Sequence, residues 1–170
     1  MKKPLISTAI IFFLLLASAR SFAQFIEGTY AIKNVQTGML LRIKDANKTN
    51  GTPLVSYNPV NWKCMTWDFK HTEGDTYQLR NLFSGKTFQP KQEAAAGVAM
   101  EEQPLLSNDA SQQYEFIPAG KNIYLIRLKG TELYITPSDG NGTVNGAIVL
   151  AKKNDNKLQQ WTLYEQHPDM

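Results

Sequence analysis

Cysteine and histidine are almost missing from this chain. Among 170 residues there is one cysteine, Cys64, and there are two histidines, His71 and His167. One thiol excludes an intramolecular disulfide and any cysteine-based zinc cluster. Two histidines leave little for a histidine-rich metal site, so no metal or other cofactor is expected. Charge of one sign is lacking as well. Three of the 18 basic residues, Lys2, Lys3 and Arg20, lie in the first 23 positions; the remaining 15 balance the 15 acids. A neutral domain has no general field to hold nucleic acid or an anionic membrane. A sustained helical period is absent too. Ala94-Ala95-Ala96 offers at most one helical turn, and Gly97 ends it.

One apolar run is present, from Leu5 to Ala17, behind the positive start Met1-Lys2-Lys3. Ser21-Phe22-Ala23 places small residues at −3 and −1 of a cut before Gln24. This is the pattern of a secretory signal peptide over residues 1–23. The run is shorter than the roughly 20 residues of a spanning helix, so no membrane insertion is expected after cleavage. The mature domain, 24–170, is expected to be secreted or periplasmic. It lacks the disulfides common in exported domains, so its core must hold the fold alone.

That domain repeats itself with a period of 47 residues. Tyr30, Tyr77 and Tyr124 keep the interval, as do Trp67, Tyr114 and Trp161. So do Ile32, Leu79 and Ile126, and Leu41, Phe88 and Ile135. Each unit reads as four short strands, with units at about 28–70, 71–118 and 119–166. Tyr30-Ala31-Ile32-Lys33 and its two counterparts alternate as half-buried strands do. Asn50-Gly51, Asn141-Gly142 and Asn145-Gly146 are hairpin-turn dipeptides. Units too small to bury their own faces favour a closed three-fold arrangement. The expected fold is all-β, a β-trefoil of three four-stranded repeats with pseudo-three-fold symmetry. An eight-stranded up-and-down barrel suits the length but gives no reason for the period. Tyr30, Trp67, Tyr77, Tyr114, Tyr124 and Trp161 are the expected core rings.

The ends of the units carry a family likeness. The third has Gln159-Gln160-Trp161, the second Gln112-Gln113-Tyr114, and the first only Met65-Thr66-Trp67. In the first unit Gly28-Thr29-Tyr30-Ala31-Ile32-Lys33, Thr37-Gly38 and Asn50-Gly51-Thr52-Pro53 follow in the same order. From Gly28 to Glu165 the chain resembles the ricin B-type β-trefoil lectins, whose signature is a Gln-x-Trp in each repeat. The resemblance implies sugar binding without catalysis. It also implies a galactose pattern of Asp on the second strand, an aromatic on the third, and Asn before the Gln-x-Trp. Here the Asp position falls on Arg42, Gln89 and Thr136, and the Asn position on Cys64, Ser111 and Leu158. The aromatic survives once, as Tyr57, with Gln103 and Lys152 near that position in the other units.

Fold does not give function, so the site must come from other residues. A sugar needs an aromatic face and side chains that bond paired hydroxyls. The first unit offers Arg42, Asp45, Tyr57, Asn58 and Trp62; the third offers Asp139, Asn154 and Asn156. Trp62 breaks the period, since its counterparts are Asp109 and Asn156. The first unit therefore ranks higher, and the expected partner is a glycan or glycoconjugate. The alternative is a protein-binding β-trefoil, such as an exported protease inhibitor or surface interaction module. Cys64 has no histidine to activate it and reads as packing. Glu101-Glu102 point to opposite strand faces and read as a solvated edge. Asn47-Lys48-Thr49 and Asn141-Gly142-Thr143 are glycosylation sequons.

Overall fold

The computed structural model describes residues 25–169. The expected signal peptide lies outside the described residues. Twelve strands run in chain order. The first unit supplies β1 (Gly28–Asn34), β2 (Leu40–Ile43), β3 (Leu54–Tyr57) and β4 (Thr66–Glu73). The second supplies β5 (Thr76–Asn81), β6 (Thr87–Pro90), β7 (Met100–Gln103) and β8 (Gln113–Gly120). The third supplies β9 (Ile123–Leu128), β10 (Leu133–Pro137), β11 (Ile148–Lys152) and β12 (Gln160–Glu165). Residues 94–96 form no helix; Val98 N–H donates to the Ala95 carbonyl in a turn that leads to β7.

Six strands close a barrel by antiparallel pairing in the order β1–β4–β5–β8–β9–β12 and back to β1. Closure removes the free edges a flat sheet of this kind would expose. The other six form hairpins β2–β3, β6–β7 and β10–β11. The hairpins meet each other through three equivalent bridges, Pro53 with Glu101, Ala99 with Val149 and Ala147 with Val55. This is the β-trefoil.

The aromatic period explains why the three units converge. Trp67 Nε1–H donates to Leu41 O at 3.4 Å, Tyr114 Oη–H to Phe88 O at 2.7 Å and Trp161 Nε1–H to Ile135 O at 3.0 Å. Each ring thus fills the core and ties its own fourth strand to its own hairpin, satisfying a buried carbonyl. Trp67, Tyr114, Trp161 and Tyr77 are fully or almost fully buried. Tyr30 and Tyr124 depart from the expected core. They pack on it from the open barrel end and stay half-buried. The Tyr30 hydroxyl donates to Glu27 O, which turns that ring's polar tip toward the surface.

Glu102 also departs from expectation. The sequence places it on a solvated edge, yet it is wholly buried, opposite Phe88 on β6. Neither carboxylate oxygen has a hydrogen-bond partner among the described residues. The reason lies in register. Leu41 pairs with Ser56, Phe88 with Glu102 and Ile135 with Leu150. The third strand of the second unit is therefore one residue off a strict period of 47, and a slip of one residue exchanges the inner and outer faces.

Candidate functional site

Three segments build a cleft of about 260 Å³ beside the first hairpin. Its lining is Arg42, Ala46, Trp62, Lys63, Cys64 and Phe83. Arg42 comes from β2, Ala46 from the turn after it, and Trp62 to Cys64 from the segment before β4. Phe83 comes from the second unit. It is held there by Asn81, whose Nδ2–H donates to Cys64 O at 3.2 Å and whose Oδ1 accepts from Phe83 N–H at 3.1 Å. Asn34 makes the matching latch one unit earlier, to Leu158 O and from Gln36 N–H.

The floor of the cleft is apolar where the other units are polar. Gln112 Nε2–H donates to Pro104 O and to Gln89 Oε1, each at 2.9 Å, and its Oε1 accepts from Leu106 N–H. Gln159 likewise donates to Lys152 O and accepts from Asn154 N–H. These buried glutamines pin the segment before the fourth strand. The first unit has Met65 at that position, fully buried and without an amide. Met65, Cys64, Ala31 and Leu40 form a second small core, against which Tyr57, Val60, Trp62 and Phe83 pack. The missing amide arrives from the far end of the chain. Gln166 is buried beside Thr66; its Nε2–H donates to Val60 O at 3.3 Å and its Oε1 accepts from Thr66 Oγ1 at 2.9 Å. The repeat pattern does not reveal Gln166, because it stands beyond the third Gln-x-Trp.

Arg42 is the unusual member. Its side chain is 8% exposed. The guanidinium carbon lies 4.0 Å from the Tyr57 ring centroid and 5.9 Å from that of Trp62. Such stacking of a cation on rings is worth about 0.5–2 kcal/mol. Asp45 stands 3.7 Å from its Nη2, and Asp45 is largely exposed. One face of Tyr57 is therefore covered by Arg42, and Trp62 is the ring that borders the cleft. Burial pushes the Cys64 thiol up, and the Arg42 charge beside it offsets this in part. A thiol held protonated in this way is packing.

The expected residues of the first unit divide. Arg42, Asp45, Tyr57 and Trp62 come together; Asn58 is exposed beyond β3. In the third unit Asp139 accepts from Asn141 N–H and Thr143 Oγ1 within the β10–β11 loop. Asn154 accepts from Asn156 N–H, and Asn156 accepts from Leu158 N–H, in the loop after β11. Each shapes its own loop, and no hydrogen bond joins Asp139 to the other two among the described residues. The register also corrects the third-strand comparison. Tyr57 pairs with Leu40, Gln103 with Thr87 and Ala151 with Tyr134, so Ala151, not Lys152, is the counterpart of Tyr57. A wider cleft of about 370 Å³ lies within the β2–β3 loop, but no ring lines it.

The sequence matches the family described as ricin-type β-trefoil lectin domain-like, over residues 22–103 and 63–151. No curated protein matches it in sequence. Among solved structures, the designed three-fold symmetric protein ThreeFoil aligns with a TM-score of 0.77 at 16% identity, covering 82% of this chain and 99% of that one. The Rhizoctonia solani agglutinin aligns with a TM-score of 0.76 at 19% identity, over 84% and 98% of the two chains. A Macrolepiota procera ricin B-like lectin, solved in complex with lactose, aligns with a TM-score of 0.69 at 21% identity, over 85% and 99%. At such identities these likenesses establish the shared fold.

Proposed function

This chain belongs to the ricin-type β-trefoil lectin domain-like family, and we propose that it is an exported, non-catalytic carbohydrate-binding module with one working site. That site is the cleft bordered by Trp62 and Phe83. The observation that carries the reading is a ring-bordered cleft in the first unit, at the position where side chains of the other two units hydrogen-bond within the chain. Gln112 reaches Gln89 in the second unit, and Thr136 Oγ1–H donates to Leu158 O at 3.3 Å in the third. The apolar face of a sugar ring stacks on an indole, and its hydroxyls bond polar groups at the rim. The cleft falls just below the roughly 300 Å³ at which larger ligand clefts begin, so a single ring is the expected occupant. The galactose pattern is replaced here, with Arg42 at the Asp position and Cys64 at the Asn position. The bound sugar is therefore not held by that pattern. One site without repetition gives no avidity from its own units.

The test is a glycan array probed with the mature chain from Gln24. Binding to at least one glycan class is expected, and Trp62→Ala should weaken it by about tenfold or more, the loss of one stacked ring. Asn154→Ala and Asn156→Ala should leave it unchanged. An array that stays blank at high protein concentration, with capture of a specific protein instead, supports the protein-binding alternative and overturns this reading.

A further inference from the structure

We propose that the cleft selects acidic sugars, with Arg42 as the group that receives the carboxylate of a uronic or sialic acid residue; this rests on the cleft being the sugar site. The argument begins with the guanidinium itself. It is more than nine-tenths buried, and its Nε is wholly buried with no hydrogen-bond partner among the described residues. The nearest carboxylate, Asp45, stands at 3.7 Å, beyond hydrogen-bond distance. No carbonyl or carboxylate oxygen of the described residues accepts a hydrogen bond from the guanidinium; the cation is held by stacking on Tyr57 and by a polar contact with the Cys64 thiol. A buried donor left unpaired costs about 1–3 kcal/mol, and more when charged. Such an arrangement is rare unless the partner comes from outside the chain.

The surroundings define the partner. A guanidinium is a planar fork, and the acceptor that fits it with two parallel hydrogen bonds is a carboxylate. Arg42 lines the cleft together with Trp62 and Phe83, so a ligand that reaches the guanidinium also meets rings. A pyranose ring bearing a carboxylate presents both features: an apolar face and one charged edge. The local charge agrees. Lys63 lines the same cleft, and Lys48 Nζ sits 4.4 Å over the Phe83 ring, while Asp45 is the carboxylate nearest the guanidinium. The domain as a whole is neutral, so this preference is local.

The other units show that the position need not be charged or unpaired. Gln89, the counterpart of Arg42 in the second unit, accepts from Gln112, and Thr136 in the third donates to Leu158 O. Gln89 Oε1 and Thr136 Oγ1 thus have partners within the chain, whereas Arg42 Nε has none among the described residues.

The experiment compares one sugar in two charge states. Oligogalacturonides and their methyl esters, and sialyllactose and its methyl ester, are titrated into the 15N-labelled mature chain. At least one acid is expected to bind about tenfold to a hundredfold more tightly than its ester, the range of charge-assisted hydrogen bonds. The preferred pair shows whether the carboxylate is carried by a uronic or a sialic residue. The Arg42 Nε–H resonance should shift with the acid and not with the ester. Arg42→Gln should remove the difference between acid and ester, with near-ultraviolet circular dichroism confirming that the fold is kept. If that variant does not fold, the Arg42 resonance in the unaltered chain decides. Equal affinity for acids and esters, or a stationary Arg42 resonance, overturns the acid preference while leaving the sugar site standing. Binding to no charged or neutral glycan overturns both.

Discussion

Trp62 and Trp67 are neighbours in sequence with different tasks. Trp67 is wholly buried, donates to Leu41 O and meets Phe88 edge-on at 5.1 Å. Removing such a ring opens a large cavity, so Trp67→Ala should lower stability by about 3–5 kcal/mol, a large share of the 5–15 kcal/mol typical of a domain. Trp62→Ala should shift the denaturation midpoint far less, because that ring borders an open cleft. Urea titration of the two variants checks the contrast. Ala46 lies beside Trp62 with φ of 49°, following Asp45 at 53°. A side chain in this left-handed region costs roughly 1–2 kcal/mol, of which glycine recovers only part, because its unfolded state is freer. Ala46→Gly is thus expected to raise stability by up to about 1 kcal/mol, read as a higher midpoint. An unchanged or lower midpoint would mean that the turn is not strained at Ala46.

The hairpin β6–β7 carries a charge in its interior. Burial pushes the Glu102 carboxyl up; the nearby Ser84 hydroxyl and the Lys86 and Lys48 charges offset this only in part. Lys86 itself is held by Lys48 O and by Asn50 Oδ1 of the β2–β3 loop. A carboxyl with a raised folded-state value binds its proton more tightly in the folded chain than in the unfolded one. Its contribution is therefore complete below the ordinary carboxylate value and is lost as pH rises through the raised one. The domain should lose stability over that window. Glu102→Gln should flatten the dependence and match or exceed the parent at pH 7, by on the order of 1 kcal/mol. Thermal melts across mildly acidic to neutral pH measure this, and a parallel pair of curves would contradict it. Glu102 also shows where sequence reading stops. Rings on the first and fourth strands keep the 47-residue interval, so the sequence locates those strands and the core they share. The third strand of the second unit departs from that interval by one residue: Ser56, Glu102 and Leu150 are the true counterparts. A uniform interval from Ser56 lands on Gln103, one residue past Glu102, and so puts Glu102 on the wrong face. Trp62 was found because it interrupts the repetition. The burial of Arg42 and the bracing by Gln166 depend on neighbours far apart in sequence, which no local pattern records.

The whole molecule is a ring whose last strand closes on its first, with Tyr30 opposite Glu165 and Asn34 opposite Trp161. No unit has a complete core of its own, since the buried rings of all three pack in one cluster. A chain ending at residue 118 loses β9 and β12 from the barrel and leaves β1 and β8 with unpaired edges. It should give no near-ultraviolet dichroism and should aggregate, whereas a native-like spectrum would show that two units suffice. The same closure has a practical side at the bench. Gln166 braces the Val60 carbonyl behind Trp62, and Lys63 Nζ donates to Asp169 O at 3.3 Å. A purification handle or fluorescent fusion joined at that end hangs from the brace itself, so recombinant protein carrying it there should read weaker in any sugar assay than protein with the handle ahead of Phe25.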